Sequence, residues 1–159
     1  MGTIHATLLY IVKDGKVLLG EKLRGWRQGI FNGIGGKIEG TETIEETMIR
    51  ETIEEIGVTP TKYEKVAIHY FGVYFKNEPT DLICHTYIAT EYKGTPQESH
   101  EMKPQWFAFD DIPYDRMWSG DPLWLPRVLD GEKVITHIEF DAENNIVSHN
   151  IETVTTFPE

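Results

Sequence analysis

Glu51, Glu54 and Glu55 stand in the stretch GKIEGTETIEETMIRETIEEIGV (36–58), where residue type and spacing suit metal chemistry. At about 100° per residue, the three carboxylates fall within an arc of roughly 100° on a helix. Carboxylates this close repel one another and raise each other's pKa unless cations sit among them. Mg²⁺ suits such a place: it takes oxygen ligands, keeps several waters and is usually held by carboxylates together with substrate phosphates. The competing reading of any charge run is a solvated helix face.

The element that must position these acids begins at a capping box, Thr43 followed three residues later by Glu46. It ends at Gly57, which supplies the left-handed residue that stops a helix. Between them Ile44, Met48, Ile49, Thr52, Ile53 and Ile56 form one broad face opposite the carboxylates.

Around that helix the chain reads mostly as strands. IHATLLYIVK (4–13) and KVLLGEK (16–22) pair across Asp14-Gly15, a strong hairpin signal. A glycine-spaced loop (23–33) enters a short strand near Asn32 to Lys37. Residues 61–75 and 81–92 are aromatic and β-branched, with a turn at Asn77-Glu78-Pro79 between them. QWFAF (105–109) is a further short strand. A turn or helix follows from Asp110 to Met117, then a helix over 121–130 with Pro122 near its start and Pro126 bending it. Residues 133–140 and 145–154 form a terminal hairpin. Helices around antiparallel and mixed strands imply an α/β (α+β) protein, an α/β/α sandwich around a mixed central sheet.

The chain has 159 residues, 40% apolar and 26% charged, which suits one domain over residues 1–159. Its net charge of −11 argues against a duplex nucleic-acid partner, because such binding rests on Lys and Arg neutralising phosphates. Cys84 is the sole cysteine, so no internal disulfide forms and a reducing, cytoplasmic compartment is expected. No apolar run reaches the length of a membrane span, and no charged-then-apolar leader is seen. Oligomeric state is not readable.

Gly36, Glu42, Arg50-Glu51, Glu54-Glu55 and Gly57-Val58 together resemble the signature of the Nudix superfamily, hydrolases of nucleoside diphosphates linked to another group. At background frequencies of about 5–7% each, chance agreement is on the order of 10⁻⁸ to 10⁻⁹ per starting position, which outweighs the solvated-face reading. Thr52 departs from the aliphatic residue usual at its position; it can bond back to the preceding turn. GEKLRGW (20–26), FNGIGGKIEGTETIEE (31–46), GTPQESHEMKPQWF (94–107) and DRMWSGDPLWLP (115–126) resemble the MutT-like, mammalian-type branch that cleaves oxidised purine nucleoside triphosphates such as 8-oxo-dGTP.

That resemblance implies Mg²⁺-dependent hydrolysis to the monophosphate and pyrophosphate, with Mn²⁺ able to serve. Glu51, Glu54 and Glu55 would be catalytic and hold metal with Glu101 and the Gly36 carbonyl. Trp118 would stack on the base, Asn32 and Asp121 would hydrogen-bond it, and Thr7, Leu8, Lys22 and Trp26 would line its pocket. Glu42 and Arg50 would form a structural ion pair. Gly120 replaces one of two adjacent acids common in the branch, which changes or narrows base range. The small-molecule partner that the resemblance implies is a nucleotide. Other tails on the diphosphate, undamaged purine triphosphates and a binding module without catalysis are the rival readings.

Overall fold

The computed structural model describes residues 2–25 and 27–158. β1 (Thr3–Lys13) and β2 (Lys16–Lys22) form the expected hairpin, with Asp14 and Gly15 at φ 53° and 74°. Two consecutive positive φ angles make the turn whose twist matches its strands. β3 (Phe31–Asn32) is short. β4 (Thr59–Phe75) and β5 (Glu78–Lys93) form the long central hairpin, and β6 (Met102–Ala108) pairs with β2. β7 (Lys133–Phe140) and β8 (Ile146–Val154) close the chain. One eight-stranded mixed sheet results, ordered β3-β2-β1-β5-β4-β7-β8 with β6 beside β2. β1 runs parallel to β5 and β4 parallel to β7; the other pairings are antiparallel.

Strand alternation splits the core into two layers. Leu9, Ile11 and Leu18 pack with Met48 and Ile56 of α1 (Ile44–Ile56). Tyr10, Val17 and Leu19 point the other way, toward Trp124, Leu125 and Val128 of α2 (Asp121–Leu129). Trp124 is fully buried and meets Tyr10 edge-to-face at 5.8 Å between centroids. Truncating a buried aromatic of this kind costs about 3–5 kcal/mol.

The ends of α1 follow from local chemistry. Thr43 Oγ1 accepts from Glu46 N at 3.1 Å, Glu46 Oε1 accepts from Thr43 N at 2.8 Å, and Gly57 sits at φ 73°. Thr52 Oγ1 donates to Met48 O at 2.8 Å, so its hydroxyl is satisfied inside the buried face.

Several sequence expectations need correction. The buried face of α1 is Thr47, Met48, Thr52, Glu55 and Ile56, while Ile53 is 47% exposed. The helix packs on β1 with the Glu55 side inward, so the carboxylates are not uniformly opposite the apolar stripe. The strand near Asn32 shrinks to two residues, then touches β1 only at isolated bridges, Leu9 with Ile34 and Ala6 with Lys37. β4 begins before Pro60 because register shifts at Pro60, Lys62 and Tyr63 absorb the proline. The turn after β4 is Lys76-Asn77, both at positive φ, which lets Glu78 pair with Phe75. Residues 109–117 hold two single 3₁₀ turns, Phe109–Asp111 and Tyr114–Arg116.

Candidate active site

The site is built where β1 exchanges a full strand neighbour for a glycine-rich crossing. Leu9 N–H donates to Ile34 O at 2.6 Å, Thr7 N–H to Gly36 O at 2.9 Å, and Ile38 N–H to His5 O at 3.0 Å. A Cβ at Gly35 would lie 1.8 Å from Thr7 O, so only glycine allows this approach. A Cβ at Gly36 would lie 2.5 Å from Glu51 Cδ. The glycines thus bring one segment against β1 on one side and the carboxylates of α1 on the other.

Glu55 is 6% exposed, and its Oε1 accepts from Gly35 N at 3.0 Å. Burial, reinforced by the Glu51 charge, pushes its carboxyl up to about 8. Burial also raises Glu51, although Arg50 opposes the shift. Arg50 Nη1 lies 2.8 Å from Glu51 Oε1 and 3.2 Å from Glu54 Oε2, so a cationic group already bridges two of the three acids. Glu54 is on the open side, 58% exposed. Glu101 is exposed; its charge reaches Glu51, Glu55 and the half-buried Lys22, whose pKa burial lowers.

Among the described residues, no three His, Cys, Asp or Glu side chains stand together closely enough to hold an ion as placed. The donors nevertheless fit a divalent cation. They are carboxylate oxygens, and ionising the buried Glu55 beside Glu51 leaves a negative charge that a cation would offset. Gly36 O already accepts from Thr7, leaving one lone pair for a further partner.

On the α2 side of the same glycine segment lies a cavity of about 200 Å³. Thr7, Leu8, Lys22, Asn32, Gly36, Trp118 and Asp121 all line it. Trp26 lies outside the described residues. Asn32 Oδ1 accepts from Gly33 N at 2.9 Å, which leaves its NH₂ group for other partners. Trp118 meets Phe140 edge-to-face at 6.1 Å and carries the Arg27 guanidinium 4.8 Å from its ring centroid. Asp121 is 5% exposed, its N–H donates to Trp118 O at 3.0 Å, and burial pushes its carboxyl up to about 7. Among the described residues its Oδ2 has no hydrogen-bond partner.

Sequence reading missed much of the wall: Phe71, Val73 and Phe75 from β4, Thr80, Leu82 and Cys84 from β5, and Arg27. Alternation within 71–75 and 80–84 was the available signal, but only the β1–β5–β4 pairing turns those faces into a cavity. Trp124 is both core and wall. Glu42 and Arg50 pair as expected, Nε to Oε2 at 2.6 Å.

The NUDIX domain family matches residues 3–128, a span that holds the glycine segment, all of α1 and Asp121. The oxidized purine nucleoside triphosphate hydrolase of Danio rerio is 40% identical over 148 residues, covering 93% of this chain and 94% of that protein. Its counterpart by name in Mus musculus is 37% identical over 151 residues, covering 95% and 96%. The crystal structure of a MutT protein from Bacillus halodurans has a TM-score of 0.80 at 25% identity, covering 94% of this chain and 97% of that one. By fold, by signature and by near full-length similarity, the chain belongs to the Nudix family of hydrolases.

Proposed function

We propose that this chain hydrolyses purine nucleoside triphosphates, oxidised ones such as 8-oxo-dGTP foremost, to the monophosphate and pyrophosphate. One observation carries the reading. Gly35 and Gly36 line the cavity and at the same time touch Glu55 and Glu51. A base held between Trp118 and Asp121 therefore has its phosphates led over the carboxylates of α1. The names of the relatives at 40% and 37% identity support the same substrate class.

In this reading Glu51, Glu54 and Glu55 hold Mg²⁺, with Mn²⁺ able to replace it, and Glu101 and Gly36 O complete the set. Bound Mg²⁺ supplies the neutralisation of phosphate charge and the acidification of water that the reaction needs. Glu51, raised by burial yet still paired with Arg50, takes a proton from the attacking water. Lys22 lines the cavity within reach of the Glu55 and Glu101 charges, and in this reading it meets the phosphates. Trp118 stacks on the base, a contact worth about 1–3 kcal/mol. In the same reading Asn32 and Asp121 hydrogen-bond its edge, and Thr7 and Leu8 line its pocket. Trp26 is assigned to the same pocket by resemblance.

No helix among the described residues is long and apolar enough to cross a membrane. The buried, unpaired thiol of Cys84 suits a cytoplasmic setting. The test is a panel of nucleotides with Mg²⁺, scored for pyrophosphate against phosphate release. A kcat/KM for 8-oxo-dGTP no higher than for dGTP removes the preference for damaged bases. Raised KM for every purine in Trp118→Ala is expected; an unchanged KM removes the stack.

A further inference from the structure

Arg27 lines the cavity yet plays no part in the chemistry above. Its backbone stands at φ 63°, in the left-handed region that disfavours residues other than glycine, asparagine and aspartate. Gly25 at φ 85° and Gly29 at φ 93° flank it. The loop is braced in that shape by Gly29 N–H to Lys22 O at 2.8 Å, Lys22 N–H to Ile30 O at 2.9 Å and Arg116 Nη2 to Gly29 O at 3.0 Å. A strained residue that the surroundings hold fixed points to a use for its side chain.

That side chain lies on the Trp118 ring, and its buried Nε has no hydrogen-bond partner among the described residues. Asp121 is tied to the same tryptophan through its own N–H to Trp118 O. Its buried carboxyl, turned toward the Trp124 indole and the Trp118 backbone, has Oδ2 outside hydrogen-bond geometry among the described residues. The wall of the cavity around Trp118 therefore presents the Arg27 guanidinium, through an unpartnered Nε, and the Asp121 carboxyl. A ring satisfying both offers an oxo acceptor to the guanidinium and an N–H to the carboxyl. A 6-oxopurine has these side by side, at O6 and N1–H. A 6-aminopurine turns an NH₂ group toward the guanidinium, donor against donor, and has no hydrogen on N1. Gly120, also on the cavity wall, adds no second acid that could compensate.

We infer that Arg27 is a specificity-determining residue that selects 6-oxopurine over 6-aminopurine nucleotides, its guanidinium donating to the 6-oxo group while Asp121 takes the adjacent ring N–H. The inference rests on the assignment of the cavity to the base of a purine nucleotide.

The experiment is calorimetric titration of the full chain with GMP and with AMP, for wild type, Arg27→Gly, Arg27→Lys and Arg27→Ala. Wild type is expected to bind GMP more tightly. Arg27→Gly and Arg27→Ala are expected to cut the GMP/AMP affinity ratio at least about 5-fold, mainly through GMP. Arg27→Lys keeps the charge without the planar fork and is expected to fall between. Glycine suits φ 63°, so Arg27→Gly is expected to melt no lower than wild type, which separates selectivity from folding. Equal weakening of both nucleotides, an unchanged ratio, or wild type that binds neither nucleotide or prefers AMP would each overturn the inference. Pyrophosphate release by wild type is measured alongside. If binding selectivity follows Arg27 but no triphosphate is cleaved, the hydrolytic reading fails and this one stands; cleavage with an Arg27-independent ratio gives the reverse.

Discussion

Arg50 closes a fork on Glu42, with Nε 2.6 Å from Oε2 and Nη2 2.9 Å from Oε1. The same guanidinium reaches Glu51 through Nη1 at 2.8 Å and Lys37 O through Nη2 at 3.3 Å. One side chain therefore joins the loop before α1, the glycine segment and a carboxylate of the candidate site. Thr47 Oγ1 adds a further donor to Glu42 at 3.0 Å.

Replacing Arg50 with lysine keeps a charge and loses the planar fork, so Tm is expected to fall by a few degrees at neutral pH. The Arg50 hydrogen bond holds the Glu42 carboxyl down at about 2. A depressed acid contributes stability above its ordinary value, near 4.3, and loses it as pH falls toward the depressed one. The Tm gap between wild type and Arg50→Lys should thus be flat from about pH 5 upward and close between about pH 4 and pH 2. Thermal melts across that range check the sign. A gap that widens on acidification refutes the pairing.

Adjacent glycines separate folding from chemistry. The Cβ of Gly35→Ala would meet backbone at Thr7 O, 1.8 Å away, which cannot yield without breaking the β1 contacts. That variant is expected to lose several kcal/mol or fail to fold. The Cβ of Gly36→Ala meets the end of the Glu51 side chain at 2.5 Å, which can rotate aside. It is expected to fold with a modest loss in Tm and at least a ~10-fold loss in kcat. Circular dichroism and single-turnover kinetics on both variants decide it.

The contrast shows which parts of the molecule a sequence can reveal. The capping box at Thr43 and Glu46, the stop at Gly57 and the turn at Asp14-Gly15 depend on neighbours within four residues, so local chemistry fixes them. The parallel pairing of Thr3–Ile11 with Asp81–Ala89 joins segments some 70 residues apart, and no local pattern encodes it. The facing walls from β4 and β5, the exposure of Ile53 and the burial of Glu55 all depend on that pairing or on how α1 sits against it. Of the residues named by motif, Thr7, Leu8, Lys22, Asn32, Gly36, Trp118 and Asp121 line one cavity; Arg27, which no motif marks, became visible only through its stack on Trp118.

Asp121 gives a stability signature independent of catalysis. Burial raises its carboxyl to about 7, so the native state binds a proton that the unfolded chain releases near pH 4. A raised acid contributes stability that is complete below the unfolded value and lost as pH rises through the folded one. Wild type is therefore expected to lose up to about 4 kcal/mol relative to Asp121→Asn between about pH 4 and pH 7. Urea titrations of both proteins at pH 4, 5.5 and 8 test this. A difference that stays constant over the range would mean Asp121 is already ionised at low pH.

If Glu55 holds metal as proposed, it opposes the stability of the metal-free protein to its activity. Its carboxyl is buried, and burial together with Glu51 raises it to about 8, so ionising it without a cation costs stability as pH rises from about 4 to about 8. Glu55→Gln removes that charge and keeps an oxygen to accept from Gly35 N–H. In chelator, the variant is therefore expected to melt at or above wild type at pH 8, with the advantage shrinking toward pH 5. Adding Mg²⁺ should raise the Tm of wild type in a concentration-dependent way, by mass action on the native state, and leave Glu55→Gln nearly flat. Turnover of the variant should fall at least about 10²-fold. A variant that gained as much from Mg²⁺ as wild type would place the ion away from Glu55, however strongly its activity had dropped, because a ligand removed from the native state cannot leave metal linkage intact.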